Sequence, residues 1–203
     1  MKVILVNGSP REKGCTYTAL CEVAGALEKN GIETEIFQVG AKPIAGCIGC
    51  NVCLKNGRCF VDDPVNEKAK TADGFVFGSP VHYAAASGAI TSFLDRAFYG
   101  KGNVFAGKPG AAVVSCRRGG AASAFDQLNK YFTINSMPVV SSQYWNQVHG
   151  NTPDEVRQDA EGLQTMRTLG SNMAWLLKCI QAGAAAGITF PEREPAMKTN
   201  FIR

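Results

Sequence analysis

The chain has 203 residues, 45% hydrophobic and 19% charged, a globular composition long enough for one domain with additions and unlike a disordered chain. Its 21 Lys and Arg against 17 Asp and Glu leave a net charge of +4 with no basic tract, too weak to imply nucleic acid and compatible with an anionic small molecule. No apolar run reaches the roughly 18 residues of a membrane span, and the short run before Asn7-Gly8-Ser9-Pro10 is not a signal peptide, so a cytoplasmic protein is expected.

Lys2 to Asn7 is a β-branched run that stops at Gly8-Ser9-Pro10, the pattern of a fully buried strand. Leu20, Val23, Ala24 and Leu27 recur at helical spacing between Thr16 and Lys29, and Asn30-Gly31 closes that helix. Glu33 to Val39 reads as a second strand, and Gly40 to Asp63 shows little periodicity. A short helix opens at Asp63-Pro64, capped by Asp62 or Asp63, and runs to about Thr71. Gly74 to Gly78 predicts a third strand. Gly88 to Phe98 predicts a helix with Ile90, Phe93, Leu94 and Ala97 on one side. Gly110 to Cys116 is a fourth strand, Ala121 to Thr133 a helix with Phe125, Leu128 and Phe132 on its stripe, and Met137 to Ser142 a fifth strand. One long helix is expected from Thr152 to Gln181, with Thr152 as N-cap, Pro153 at N1 and Glu155 in the capping-box position. Ala182 to Arg203 reads as an extended arm.

Strands alternating with helices argue for an α/β fold, a doubly wound five-stranded parallel sheet in the order 2-1-3-4-5. Residues 1–182 form one domain with a cysteine-rich insertion at 44–63, and 183–203 form a C-terminal extension.

In such sheets ligands sit beyond the carboxyl ends of the strands. The first such loop, Gly8 to Thr18, offers hydroxyls from Ser9, Thr16 and Thr18, free amides at a helix start, and charge from Arg11 and Lys13. Together these suit a phosphate dianion. The loop is neither Gly-x-Gly-x-x-Gly nor followed by Gly-Lys-Ser/Thr. In the second loop, Ser79 to Gly88, Pro80 stiffens the chain and the backbone of Val81 to Tyr83 can offer amides to a planar heterocycle flanked by His82 or Tyr83. A lone histidine is more often structural or solvated than catalytic, so acid–base work at His82 is the lesser reading. In the third loop, Ser115 to Gly120, Gly119 and Gly120 allow close backbone approach. Arg117 and Arg118 suit charge on a reduced ring or a second anion, and either alone equally suits a solvated turn. Trp145 and His149 either reach a substrate over the ring or pack peripherally.

These loops describe a mononucleotide site. The segments Gly8-Ser9-Pro10-Arg11 with Thr16 and Thr18, Gly78-Ser79-Pro80-Val81-His82-Tyr83, Ser92-Phe93-Leu94-Asp95-Arg96, Gly107-Lys108-Pro109-Gly110-Ala111-Ala112 and Arg117-Arg118-Gly119-Gly120 carry a resemblance. In this order and spacing they resemble the NAD(P)H-dependent FMN reductase branch of the flavodoxin-like proteins, over most of the chain and more weakly after about Gln181. The resemblance implies bound FMN, its phosphate on Ser9, Arg11, Thr16, Tyr17 and Thr18. It implies that the isoalloxazine lies against Pro80, Val81, His82 and Tyr83 and the Ser115, Arg117, Gly119 and Gly120 segment. Cys15 departs from the Asn common in relatives, but its backbone amide is unchanged and it is kept among the binding residues. A homodimer or homotetramer is also implied.

Of eight cysteines, Cys15, Cys21, Cys116 and Cys179 are scattered, while Cys47, Cys50, Cys53 and Cys59 follow a Cys-x2-Cys-x2-Cys-x5-Cys pattern. Without a secretory signal, metal binding or redox chemistry is the better explanation than disulfides. Three thiols can converge from one compact turn and a fourth fold back onto them, which is what a cubane cluster needs. Structural zinc and a metal-free redox dithiol or free thiols are the alternatives; zinc more often uses two Cys-x2-Cys knuckles further apart. The spacing also resembles that of the iron–sulfur flavoproteins, which implies a [4Fe–4S] cluster exchanging single electrons with FMN. The expectation is an FMN-dependent oxidoreductase taking hydride from NAD(P)H and passing electrons to a small-molecule or protein acceptor, with no catalytic side chain named. A flavodoxin-like carrier, poorly matched by a charge of +4, and a redox or metal sensor are the competing functions.

Overall fold

Alternate residues of the first strand serve opposite cores, as a sheet covered on both faces requires. In this computed structural model residues 1–39, 42–61, 64–195, 197, 199 and 201 are described, the side chains of 64–66 and 101–103 excepted. The elements are β1 (Lys2–Asn7), α1 (Cys15–Lys29), β2 (Glu33–Gln38), α2 (Val52–Asn56), α3 (Pro64–Thr71), β3 (Gly74–His82), β4 (Ala85–Ala86), α4 (Gly88–Phe105), β5 (Gly110–Cys116), α5 (Ala121–Ile134), β6 (Gln147–His149), α6 (Pro153–Gln158) and α7 (Ala160–Ala185). Ile4 and Val6 pack with Phe75, Phe77, Ala112 and Val114 beneath α4 and α5. Val3 and Leu5 pack with Val76, Ala111, Val113 and Val148 beneath α1 and α7.

The parallel strands lie in the order β2-β1-β3-β5-β6, with β4 turned back antiparallel on β3. This is the expected 2-1-3-4-5 order once the two-residue β4 is set aside. β3 runs four residues past Gly78, where the predicted strand ended. Pro80 has no N–H to donate, and it sits beyond the last β1 pair, Asn7↔Gly78, where only β5 is alongside.

The fifth strand differs from expectation. Met137 to Ser142 makes a single bridge, Gly110↔Val139, and the ladder resumes at Gln147–His149 opposite Val114–Cys116. Pro138 cannot donate to the ladder. The Ser142 hydroxyl then turns to Asn146 Oδ1 at 2.7 Å, a local bond that competes with strand pairing. The predicted long helix is also two helices. Thr152 caps α6 as expected, its Oγ1 accepting from Glu155 N–H at 3.2 Å. The chain breaks at Asp159, whose Oδ1 accepts from Gly162 N–H at 2.9 Å and starts α7. α4 continues past Phe98 to bury Phe105, and α7 extends past Gln181 to Ala185. The expected cap at Asp62 or Asp63 lies outside the described residues.

At the far end of the sheet, Lys2 Nζ lies 3.0 Å from both Glu33 and Glu35, and Lys68 bonds the other Glu35 oxygen. Hydrogen bonds from Lys68 and then Lys2 hold the Glu35 carboxyl below its ordinary range. A carboxyl depressed in the fold stabilises above its unfolded pKa of about 4.3 and loses that contribution as pH falls through the folded value. Glu35→Gln is expected to lower stability by up to about 1 kcal/mol at pH 7, a gap that closes in acid; urea titrations at the two pH values check it.

Candidate functional site

The turn after β1 is held from below by a buried asparagine. Asn7 Nδ2 donates to Glu12 O at 3.0 Å and to Gln38 Oε1 at 2.6 Å, and its Oδ1 accepts from Ser9 N–H at 3.1 Å. Gln38 Nε2 in turn donates to Ser9 O at 2.6 Å. Gly8 is bonded on both sides, its N–H to Gly78 O at 2.8 Å and its carbonyl from Ser87 Oγ at 2.7 Å. A Cβ at Gly8 would fall 2.5 Å from Ile90 Cβ, so only glycine lets the turn lie this close to α4.

α1 then begins without a cap. Gly14 supplies no side-chain bond and no acid lies in the first turn, whereas Ser87, Thr152 and Asp159 cap α4, α6 and α7. The first helical bond is Thr18 N–H to Gly14 O at 3.0 Å. The amides of Cys15, Thr16 and Tyr17 therefore have no acceptor within the helix and face outward with the positive end of its dipole. Ser9 Oγ accepts from Arg11 N–H at 3.1 Å, which leaves its own hydrogen to donate. Thr16 Oγ1 and Ser115 Oγ, both buried, lie 2.8 Å apart. Of their two hydroxyl hydrogens one joins them, and the other remains for a ligand.

The second and third loops are locked together at Gly120. Its φ is +86°, and a Cβ there would meet Val81 Cγ1 at 2.8 Å and Ala84 Cα at 3.1 Å. Tyr83 turns the β3–β4 hairpin with φ of +59°. Gln127 Oε1 accepts from Ala86 N–H at 3.1 Å, fastening the hairpin to α5. α5 also begins on a glycine without a side-chain cap, so two uncapped helix starts adjoin this edge of the sheet.

An open cleft of about 260 Å³ lies between the loops, a little under the roughly 300–1,000 Å³ of small-molecule sites. Of the expected residues, Ser9, Arg11, Cys15, Thr16, Pro80, Val81, His82, Ser115 and Arg117 line it. Among the described residues no carboxylate does. Tyr17, Thr18, Tyr83, Gly119 and Gly120 stand off its walls. The Thr18 hydroxyl turns back to Gly14 O at 3.2 Å, the Tyr17 phenol meets the Cys21 thiol, and Tyr83 is fully exposed. Burial pushes the Cys15 thiol up from its ordinary pKa, which disfavours a reactive thiolate there and leaves its backbone amide as the useful group.

Sequence reasoning missed Gly150 and Asn151, which close the cleft after β6. Their signal was hidden by the misplaced fifth strand; Gly150 has φ of +156°, and a Cβ there would fall 2.7 Å from Val156 N. Trp145 packs on Tyr144, with centroids 5.1 Å apart. His149 Nδ1 lies 3.7 Å from Asp159 Oδ2. Both stand beside the cleft rather than in its lining.

The cysteine segment lies against α4. Cys47, Cys50, Cys53 and Cys59 line one recess, the first two exposed and the others half-buried. α2 links them, entered through Asn51 at φ +58° and left through Gly57 at φ +65°. Among the described residues no three His, Cys, Asp or Glu side chains are drawn close enough to hold a metal ion. The donor set nonetheless fits an iron–sulfur centre, being four thiols in one recess with no carboxylate on its described wall. The cleft fits a flavin phosphate through its outward amides, spare hydroxyls and arginines.

Residues 1–152 match the NADPH-dependent FMN reductase family. An iron-sulfur flavoprotein of Methanocaldococcus jannaschii is 36% identical over 192 residues, covering 89% of this chain and 100% of its own length. One of Archaeoglobus fulgidus is 30% identical over 196 residues, covering 87% and 97%. The solved structure of a flavodoxin from the Archaea superposes with a TM-score of 0.62 at 16% identity, over 88% of this chain and 99% of that one.

Proposed function

The chain belongs to the NADPH-dependent FMN reductase family and is an FMN oxidoreductase; from that premise we propose that it takes hydride from NAD(P)H and releases electrons singly through a [4Fe–4S] cluster. The bound flavin supplies hydride acceptance and one-electron release, and the cluster single-electron transfer. The chain's own residues bind, orient and shield. The amides of Cys15, Thr16 and Tyr17, with Ser9 and Arg11, hold the phosphate. The hairpin from Pro80 to His82 and the segment from Ser115 to Arg117 flank the ring. Arg117 faces the negative charge that reduction brings. Cys47, Cys50, Cys53 and Cys59 hold the cluster, and the nicotinamide enters from the open side of the cleft in a homo-oligomer. Hydride transfer to a bound flavin would need no side-chain base, so none is assigned.

The observation that carries this reading is the uncapped start of α1 opening into a cleft that is walled by three strand-end loops and has no carboxylate among its described lining residues. Anaerobic stopped-flow mixing of the FMN-loaded protein with NADH and with NADPH tests it. Bleaching of the flavin band within seconds is expected with at least one of them. A flavin that stays oxidised with both would make the protein an electron carrier without a pyridine-nucleotide substrate.

A further inference from the structure

The β1–β2 ladder ends on the pair Asn7↔Gln38, at the base of the turn that follows β1. A slip of one residue would bring Phe37 to that place instead. Asn7 is fully buried, and all its polar atoms are engaged: Nδ2 donates to Glu12 O and to Gln38 Oε1, and Oδ1 accepts from Ser9 N–H. Gln38 Nε2 donates to Ser9 O at 2.6 Å. Glu12 O and Ser9 O are carbonyls that can only accept, so both amides have one orientation. Ser9 precedes Pro10, which has no N–H. Its carbonyl is therefore the one polar group of that peptide unit, and Gln38 holds it. The N–H of Ser9 is tied to Asn7 and its carbonyl to Gln38, while its Oγ accepts from Arg11 N–H.

We infer that Gln38 is a positioning residue for the flavin phosphate, and that through the Ser9 peptide it makes the protein prefer FMN to riboflavin. This rests on the reading that places the phosphate at Ser9, Arg11 and the start of α1. Gln38 is not among the residues lining the cleft, whereas Ser9, Pro10 and Arg11 are, so it acts through the backbone. Holding the Ser9–Pro10 peptide fixes the plane from which the Ser9 hydroxyl and Arg11 leave the turn. A donor already aimed at its ligand loses less freedom on binding. The walls that flank the ring, Pro80 to His82 and Ser115 to Arg117, make none of these hydrogen bonds, so affinity for the ring is independent of them. β2 is the edge strand, and Gln38 is half-buried on it, so its side chain can be changed without opening the core.

The test titrates the full chain, freed of flavin, with FMN and with riboflavin, and follows the ratio of the two affinities. It compares wild type, Gln38→Met and Gln38→Glu, with Glu35→Gln as a control on the same strand. Methionine keeps the length of glutamine but cannot donate to Ser9 O. Glutamate keeps the acceptor for Asn7 and, at neutral pH, turns a carboxylate oxygen toward the Ser9 carbonyl. Gln38→Met is expected to bind FMN about tenfold more weakly, a loss of ~1.4 kcal/mol, and Gln38→Glu about 100-fold, ~2.8 kcal/mol. Riboflavin affinity stays within about twofold of wild type in both, so the ratio falls. Glu35→Gln leaves the ratio unchanged. A folded Gln38 variant that binds FMN as wild type does, or that loses FMN and riboflavin affinity by the same factor, overturns the inference, since a merely structural role moves both ligands together. Where Gln38→Met does not fold, the ratio in Gln38→Glu decides. A wild-type chain that binds FMN no more tightly than riboflavin removes the phosphate reading and this inference with it. A wild type that discriminates, with variants that discriminate equally well, overturns this inference alone.

Discussion

A Gly120→Val chain is expected to fold and to bind FMN about 100-fold more weakly than wild type, a loss of ~2.8 kcal/mol. Gly120 stands at φ +86°, where a β-branched residue is strained, and its missing Cβ is the space that Val81, Tyr83 O and Ala84 occupy within 3.2 Å. A valine would part the hairpin after β3 from the segment after β5, and these are two walls of the cleft. The core lies elsewhere, beneath α4, α5, α1 and α7, so unfolding by heat should shift far less than affinity does. Gly119 is the control. A Cβ there meets nothing within 4 Å, so Gly119→Ala should bind FMN within about twofold of wild type, a few tenths of a kcal/mol. Quenching of flavin fluorescence on titration measures all three. Equal losses at 119 and 120 would mean that the loops are not held by this contact.

Cys50→Ser is expected to reduce iron from about four per chain to near background while flavin content stays at the wild-type level. Cys50 is the middle thiol of the x2-spaced trio and lines the recess with the other three. A serine hydroxyl gives up its proton far less readily than a thiol and does not replace a thiolate ligand. The flavin cleft includes none of these four cysteines, so its occupancy should be independent. Cys179→Ser, at an exposed thiol on α7, should change neither. Iron, sulfide, zinc and FMN assays on the same anaerobic preparations check the pattern. Zinc in place of iron, lost in Cys50→Ser, would assign the segment a structural metal.

The walls of the cleft were legible because the chain punctuates its strands plainly. Gly8-Ser9-Pro10 and Gly78-Ser79-Pro80 each end an apolar run, and both stand at the edge where ligands bind. The fifth strand was not, because Met137 to Val140 has strand-like apolar residues while the Pro138 nitrogen and the Ser142–Asn146 bond, which decide the pairing, are invisible to periodicity. That one error hid Gly150 and Asn151. Side-chain direction was beyond the pattern as well. Thr18 supplies a hydroxyl of the right type at the right place, yet it bonds the backbone of its own helix.

The most direct test is a crystal structure of the chain with FMN. The phosphate oxygens should lie within about 3 Å of the Cys15, Thr16 and Tyr17 amides, with the ring between the Pro80–His82 hairpin and the Ser115–Arg117 segment. A flavin seated elsewhere, or phosphate density away from the start of α1, would contradict that placement.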